Sequence, residues 1–151
     1  MVRIYLACPL VHLDDARRFR DWLAEKCKDP IISTWHDGAP GDPFMHADWS
    51  DGECFRTNLF DMHDAHVLVV LTFADAGKET YVEVGRFLER GKPVVWLPVT
   101  PRLVPRDTAI GQCLALENSK LVYRAKNEED VLVHLADLSE KIWFNERQSE
   151  L

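Results

Sequence analysis

Short apolar segments alternate along this chain with segments whose apolar residues recur at helical spacing. Residues 2–8 and 66–73 are nearly continuous runs of branched and aliphatic side chains, which is typical of strands covered on both faces of a sheet. Weaker runs of the same kind lie at residues 31–35, 93–99 and 120–125. The pattern therefore predicts five β-strands.

Helical periodicity lies between these runs. Apolar side chains share one face over residues 16–23 and again over residues 131–142, and two further helices are predicted over about 50–63 and 80–90. The alternation of strand and helix indicates one α/β domain, residues 1–151. We expect a doubly wound, flavodoxin-like (Rossmann-like) five-stranded parallel sheet with helices on both faces.

Two polar segments interrupt this regular pattern. Residues 36–49 and 98–109 are rich in Pro, Gly and Asp, and each follows a predicted strand. Both segments are therefore expected at the carboxyl edge of the sheet, where open α/β folds bind their ligands.

Composition and charge exclude several functional classes. A net charge of −7 with scattered Lys and Arg argues against a nucleic-acid polymer as partner. The apolar runs are too short to span a bilayer, so we expect no membrane partner, and the four cysteines form no C-x-x-C pair. We expect a cytoplasmic protein. The six histidines form no metal-binding pattern, so neither a metal nor a cofactor is predicted.

Glu83 is the first candidate for chemistry, and its surroundings allow two interpretations. Thr80 with Glu83 three residues later matches a T-x-x-E capping box at a helix start. Alternatively, a carboxylate in the first helical turn at the carboxyl edge of the sheet is favoured in its ionised form by the helix dipole and can act as a nucleophile. Spacing alone leaves both interpretations open.

Three segments resemble the nucleoside 2-deoxyribosyltransferase family: "IYLACPL", "FRTNLFDMHDAHVLVVLT" and "GKETYVEVGRFLERGKPVV". The resemblance implies that Glu83 is the catalytic glutamate, which attacks the anomeric carbon of a nucleoside. It further implies that Tyr5 orients this glutamate, although Tyr5 is also a plausible core aromatic on a buried strand. In Cys8 and His66 the sequence departs from the glycine and the aspartate usual in the family.

The resemblance also implies substrate contacts. Asn58 stands where many members carry an aspartate that contacts the nucleobase, and the alternative is an exposed polar helix residue. A carboxamide cannot act as an acid, so the leaving base is protonated either by Asp75, the nearest counterpart of a second aspartate, or by no side chain at all. Trp35 flanks the 36–49 segment, where it would stack on the base or only pack locally. The remaining predicted substrate-binding residues are Pro9, Gly77 and Thr80.

The expected function is cleavage of the N-glycosidic bond of a nucleoside or nucleotide, with transfer of the sugar to another base or to water. The alternative is a non-catalytic nucleotide-sensing module on the same fold. Glu79 would repel a phosphate, which argues for an unphosphorylated substrate unless its side chain points to solvent. We also expect a homodimer or higher homo-oligomer, for which Trp143 and Phe144 near the chain end are candidate contacts, although they equally suit the core face of their own helix.

Overall fold

The computed structural model describes residues 1–73, 78–99, 116 and 118–149. The strands are β1 (Ile4–Ala7), β2 (Val67–Thr72), β3 (Val94–Pro98) and β4 (Val122–Arg124). The α-helices with described bounds are α1 (Leu13–Lys26), α2 (Asp51–Asp64), α3 (Lys78–Glu89) and α4 (Glu128–Ser149). A short 3-10 helix, Leu10–His12, joins β1 to α1.

All strand pairs are parallel, and the spatial order is β1-β2-β3-β4. Every residue of β1 and β2 is buried, so both faces of the sheet are covered in its centre. This burial explains why the two strands read as continuous apolar runs rather than as alternating patterns. The prediction of an α/β fold with a parallel sheet is confirmed.

The prediction of a fifth strand over residues 31–35 is wrong. Among the described residues, the pairing there is an isolated parallel bridge between Ile31 and Ile4. One step further along β1, the Leu6 backbone N–H donates to the side-chain Oγ of Ser33 at 3.0 Å. In a continued strand a backbone carbonyl would accept this hydrogen bond, but here the Ser33 hydroxyl accepts it. The pairing therefore ends after one bridge, and the described sheet has four strands.

The helices form two pairs, and each pair covers one face of the sheet. The guanidinium of Arg86 in α3 lies 5.9 Å from the ring centre of Phe55 in α2. Ser139 in α4 donates to the carboxylate of Asp29, just after α1, at 2.8 Å. Crossovers between parallel strands are right-handed. The chain moves from β1 toward residue 31 on one side and then back past β1 to β2, so α1 and α2 lie on opposite faces of the sheet.

The same path through the sheet defines a crevice between β1 and β2. From β1 the chain runs outward to the bridge at Ile31, whereas from β2 it runs the other way to β3. At such a reversal the segments that follow the two strands diverge, and a ligand crevice opens at the carboxyl ends. None of the helices in the described parts of the chain is long and apolar enough to cross a membrane.

Candidate active site

A hydrogen bond joins two residues that are distant in sequence, Tyr5 in β1 and Glu83 in α3. The Tyr5 hydroxyl donates to Oε1 of Glu83 at 2.7 Å, and the Tyr5 side chain is fully buried. Helix α3 presents Thr80, Val84 and Phe87 to the interior, and Glu83 lies on the edge of this stripe. The stripe therefore turns the Glu83 carboxylate toward the sheet.

The environment of this carboxyl group favours its neutral form. Burial raises the pKa of Glu83 from an ordinary 4.5 to about 7; the Tyr5 hydrogen bond opposes this shift, and the negative charge of Glu79 adds to it. The Glu83 residue as a whole is half-buried, and burial of its carboxyl group is the largest cause of this shift. Burial and the Glu83 charge raise the pKa of Tyr5 well above its usual range, so Tyr5 remains a hydroxyl donor.

The helix start corrects both first interpretations of Glu83. Helix α3 begins by Lys78, so Thr80 is a buried residue within the helix, and Glu83 lies beyond the first turn. A capping box requires Thr80 to precede the helix, so that interpretation is wrong. The helix dipole acts mainly on the first turn, so dipole stabilisation of the ionised form is wrong as well.

Asn58 lines a small cavity together with Trp35, Phe44 and Trp49. The cavity volume is about 30 Å³, which accommodates a water molecule but not a nucleobase. The structure therefore places two of the predicted substrate-binding residues, Asn58 and Trp35, beside one small cavity.

The aromatic residues around this cavity are held by local contacts. The Trp35 indole N–H donates to the Leu6 carbonyl at 2.7 Å, and the Trp35 side chain is buried. Trp49 stacks on His46 with ring centres 4.0 Å apart. These contacts favour local packing, the alternative to base stacking raised by the sequence.

Cys8 and Pro9 form the turn that follows β1. Pro9 is buried and precedes the 3-10 helix. The Cys8 Sγ lies 3.7 Å from both the Pro9 and the His12 carbonyl oxygens, so its single S–H can donate to either. The side chain at position 8 therefore closes this turn. Asp75 and Gly77 lie outside the described residues.

Two features near the site were missed by the sequence analysis. Oδ2 of Asp61 accepts hydrogen bonds from the backbone N–H and the hydroxyl of Thr34, at 3.1 and 3.0 Å. Burial raises the pKa of Asp61, and the negative charge of Asp61 in turn raises the pKa of Tyr5. Asn58 and Asp61 are three residues apart on α2, so helical spacing alone would have indicated that they share a face. The second missed feature is a stacked pair of rings, His12 and Phe73.

Lys92, in the G-K-P-V part of the third resembling segment, has a structural role. Its ammonium group donates to the carbonyls of His63 and Ala65 at 2.6 Å each, and to that of Met62 at 3.3 Å. These carbonyls lie at the C-terminus of α2, where backbone acceptors lack intrahelical partners. The lysine therefore caps α2 and fixes it beside β3.

A second and wider cleft lies away from this carboxylate. It measures about 560 Å³ and is lined by residues at the end of α1 and along α4, including Asp29 and Trp143. It shares no residue with the Tyr5–Glu83 pair, so volume alone does not mark the site. Within the described residues, no three His, Cys, Asp or Glu side chains are grouped to bind a metal ion.

The fold and the site together define an α/β protein with a tyrosine-bound, buried carboxylate beside the crevice between two parallel strands. The model of the family described as nucleoside 2-deoxyribosyltransferase matches residues 4–137. The chain belongs to this family, as the three sequence segments predicted.

Solved structures share the fold at low sequence identity. A conserved protein from Enterococcus faecalis V583 is 18% identical with a TM-score of 0.63, and the match covers 91% of this chain and 98% of that chain. The CMP N-glycosidase BcmB from Clostridium botulinum is 14% identical with a TM-score of 0.55, over 89% of this chain and 98% of that chain. No curated protein sequence matches this chain significantly.

Proposed function

We propose that the protein cleaves the N-glycosidic bond of 2-deoxynucleosides or their nucleotides through a covalent intermediate on Glu83. The observation that carries this proposal is the 2.7 Å hydrogen bond from Tyr5 to the buried Glu83 carboxylate. Family membership and the N-glycosidase activity named for one structural neighbour support the reaction class.

In the first half-reaction, an oxygen of Glu83 attacks C1′ of the sugar and the base departs. The transition state has oxocarbenium character, so a negative charge beside C1′ stabilises it. Tyr5 holds one carboxylate oxygen by its hydrogen bond and thereby restricts the direction of attack.

The raised pKa of Glu83 suits such a nucleophile. A carboxylate with a pKa of about 7 is ionised in a substantial fraction of molecules near neutral pH. Burial also removes water that would otherwise solvate the charge, so the anion interacts more strongly with a developing cation. Attack requires the ionised form, and kcat/KM should therefore fall as the pH drops below about 7.

In the second half-reaction, an acceptor releases the sugar from Glu83. A nucleobase as acceptor makes the protein a transferase, and water makes it a hydrolase. Both outcomes share the first half-reaction and therefore the same nucleophile.

The phosphorylation state of the substrate depends on the position of Glu79. Repulsion of a phosphate was expected only if the Glu79 side chain did not point to solvent, and Glu79 is exposed. The argument against a phosphorylated substrate is therefore weakened. The negative charge of Glu79 nevertheless raises the pKa of Glu83. One structural neighbour is named as acting on CMP. The substrate panel must therefore include 5′-monophosphates as well as free nucleosides.

The test is product analysis after incubation with 2-deoxynucleosides, ribonucleosides and their 5′-monophosphates, with and without an acceptor base. We expect release of the free base, which Glu83→Gln should lower by roughly a thousandfold or more. The matched control is Glu79→Gln, the same change one turn earlier on an exposed side chain. Equal activity in Glu83→Gln and the parent protein would refute the mechanism. Nucleotide binding without turnover would instead support the sensing module.

A further inference from the structure

Two arginines three residues apart on α1 hold the turn formed by residues 36–43, here called the arginine-bound turn. Within the described residues, the Arg17 guanidinium donates to the backbone carbonyls of His36, Asp37, Asp42 and Pro43, at 3.2, 2.6, 2.7 and 3.3 Å. Arg20 donates to the carbonyls of His36 and Gly38 at 2.7 Å each. Side chains of α1 therefore fix the path of this turn.

Arg17 carries a charge that is enclosed by the protein. Its side chain is fully buried, and within the described residues its ion pair is with Asp14, at 3.8 Å. Burying a guanidinium is costly unless its N–H groups are hydrogen-bonded. The carbonyls of the arginine-bound turn supply these bonds, so the arginine and the turn stabilise each other.

Gly38 shows how closely the turn fits the guanidinium. Its φ of 104° lies in the left-handed region that favours glycine, and a Cβ at this position would lie 2.8 Å from an Arg17 terminal nitrogen. Gly41, in the same turn, also has a positive φ, 92°, but a Cβ there would meet no described atom within 4 Å. The close approach to Arg17 is therefore specific to Gly38.

The arginine-bound turn leads into one wall of the small cavity at Asn58. Phe44 comes directly after the turn, and Phe44 and His46 line this cavity together with Asn58. Nε2 of His46 lies 3.1 Å from the Thr34 carbonyl, which attaches the same segment to the residue before Trp35. The position of this wall relative to Asn58 thus depends on the turn that precedes it.

We propose that Arg17, acting through the arginine-bound turn, is a positioning residue that sets which nucleobase the protein accepts. The inference rests on the proposed function and on the predicted base contact of Asn58, and it deepens both. A wall that is already held in place loses less conformational freedom when a base binds, so affinity for the base depends on the arginine. Glu83 is oriented by Tyr5 instead, so bond cleavage should proceed at nearly the parental rate once the substrate is bound.

The test measures kcat and KM separately for 2-deoxynucleosides with different bases, in Gly38→Ala and in its matched control Gly41→Ala. Both variants place alanine at a positive φ in the same turn, but only Gly38→Ala brings a methyl group against the Arg17 guanidinium. In Gly38→Ala, KM for the best base should rise about fivefold or more, the equivalent of one neutral hydrogen bond, and selectivity among bases should fall by a similar factor. Its kcat should stay within about twofold of the parent, and Gly41→Ala should keep the parental KM and selectivity.

A second pair of variants removes the guanidinium itself. Arg17→Gln should lose selectivity in the same way, whereas Arg18→Gln, the same change on the exposed neighbouring residue of α1, should not. Arg17→Lys keeps the charge and offers three donors, so its selectivity should lie between those of Arg17→Gln and the parent. Gly38→Ala and Arg17→Lys decide the question if Arg17→Gln does not fold. The acid limb of the kcat/KM profile, which reports Glu83, should remain at the parental pH in every variant.

Four outcomes would count against these ideas. A loss of kcat that is equal for all bases, with KM unchanged, would overturn the proposal, because the arginine would then only maintain the folded fraction. Equal effects in Gly38→Ala and Gly41→Ala would overturn it as well, since backbone strain would explain both. Unchanged selectivity in active Gly38→Ala and Arg17→Lys proteins would remove only this inference. Failure of the parent protein to release any base would remove the proposed function itself.

Discussion

Ionisation of Glu83 should destabilise the folded protein. Its pKa rises from an ordinary 4.5 to about 7 on folding. Each pKa unit corresponds to about 1.4 kcal/mol, so the ionised carboxylate lowers the free energy of unfolding by about 3 kcal/mol relative to the neutral form. The penalty is absent below pH 4.5, where both states are protonated. It grows as the pH rises through the interval in which only the folded state keeps the proton, and it is complete above about pH 7.

The substitution that isolates this penalty is Glu83→Gln. The carboxamide has nearly the same size, stays neutral at every pH, and offers a carbonyl oxygen that can still accept from Tyr5. The variant should therefore gain stability over the parent protein as the pH rises. The gain should reach about 3 kcal/mol above pH 7, compared with the difference between the two proteins at pH 4.

The measurement is urea unfolding of both proteins at a series of pH values from about 4 to 8.5, followed by tryptophan fluorescence from the five tryptophans. The urea slope should remain the same for both, so the midpoints report stability directly. The control is Glu79→Gln, which removes the negative charge that adds to the raised pKa of Glu83. Its pH profile should resemble that of the parent, with the titration moved to slightly lower pH. A stability difference between Glu83→Gln and the parent that does not change with pH would refute the buried, raised-pKa carboxylate.

Three further predictions concern orientation, base contact and assembly. Tyr5→Phe should lower kcat more than it changes KM. It should also move the acid limb of the pH profile to higher pH, because the hydrogen bond from Tyr5 lowers the pKa of Glu83 and its loss lets that pKa rise. An unchanged turnover rate would make Tyr5 only a core residue. If Asn58 contacts the base, Asn58→Ala should change the relative kcat/KM among bases about fivefold, the equivalent of one neutral hydrogen bond, and an unchanged ranking would place Asn58 outside the base site. Trp143 and Phe144 are 49% and 58% exposed, which suits a subunit contact better than a core face, so light scattering at micromolar concentration should show at least a dimer, and a monomeric mass would contradict this.

Local pattern was sufficient for most of the fold. Strands β1 and β2 were predicted within about two residues, because burial on both faces leaves a continuous apolar run that needs no knowledge of its neighbours. Helices α2 and α3 were predicted equally well from periodicity. The run at residues 31–35 looks the same as a strand in sequence, but whether it pairs depends on which group accepts the Leu6 N–H, and that group is the Ser33 side chain.

The site divides in the same way. The amino-acid sequence by itself determined the family and singled out Tyr5 and Glu83, since both lie in short segments whose residue order carries the resemblance. Only the tertiary structure decided how Glu83 behaves, because the T-x-x-E spacing has the same appearance wherever the helix begins. A helix that begins by Lys78 places Glu83 beyond its first turn, where the carboxylate accepts a hydrogen bond from Tyr5, 78 residues away in the chain. The contact between His12 and Phe73 likewise joins residues brought together by parallel pairing of β1 and β2, and no local pattern in either segment contains the other.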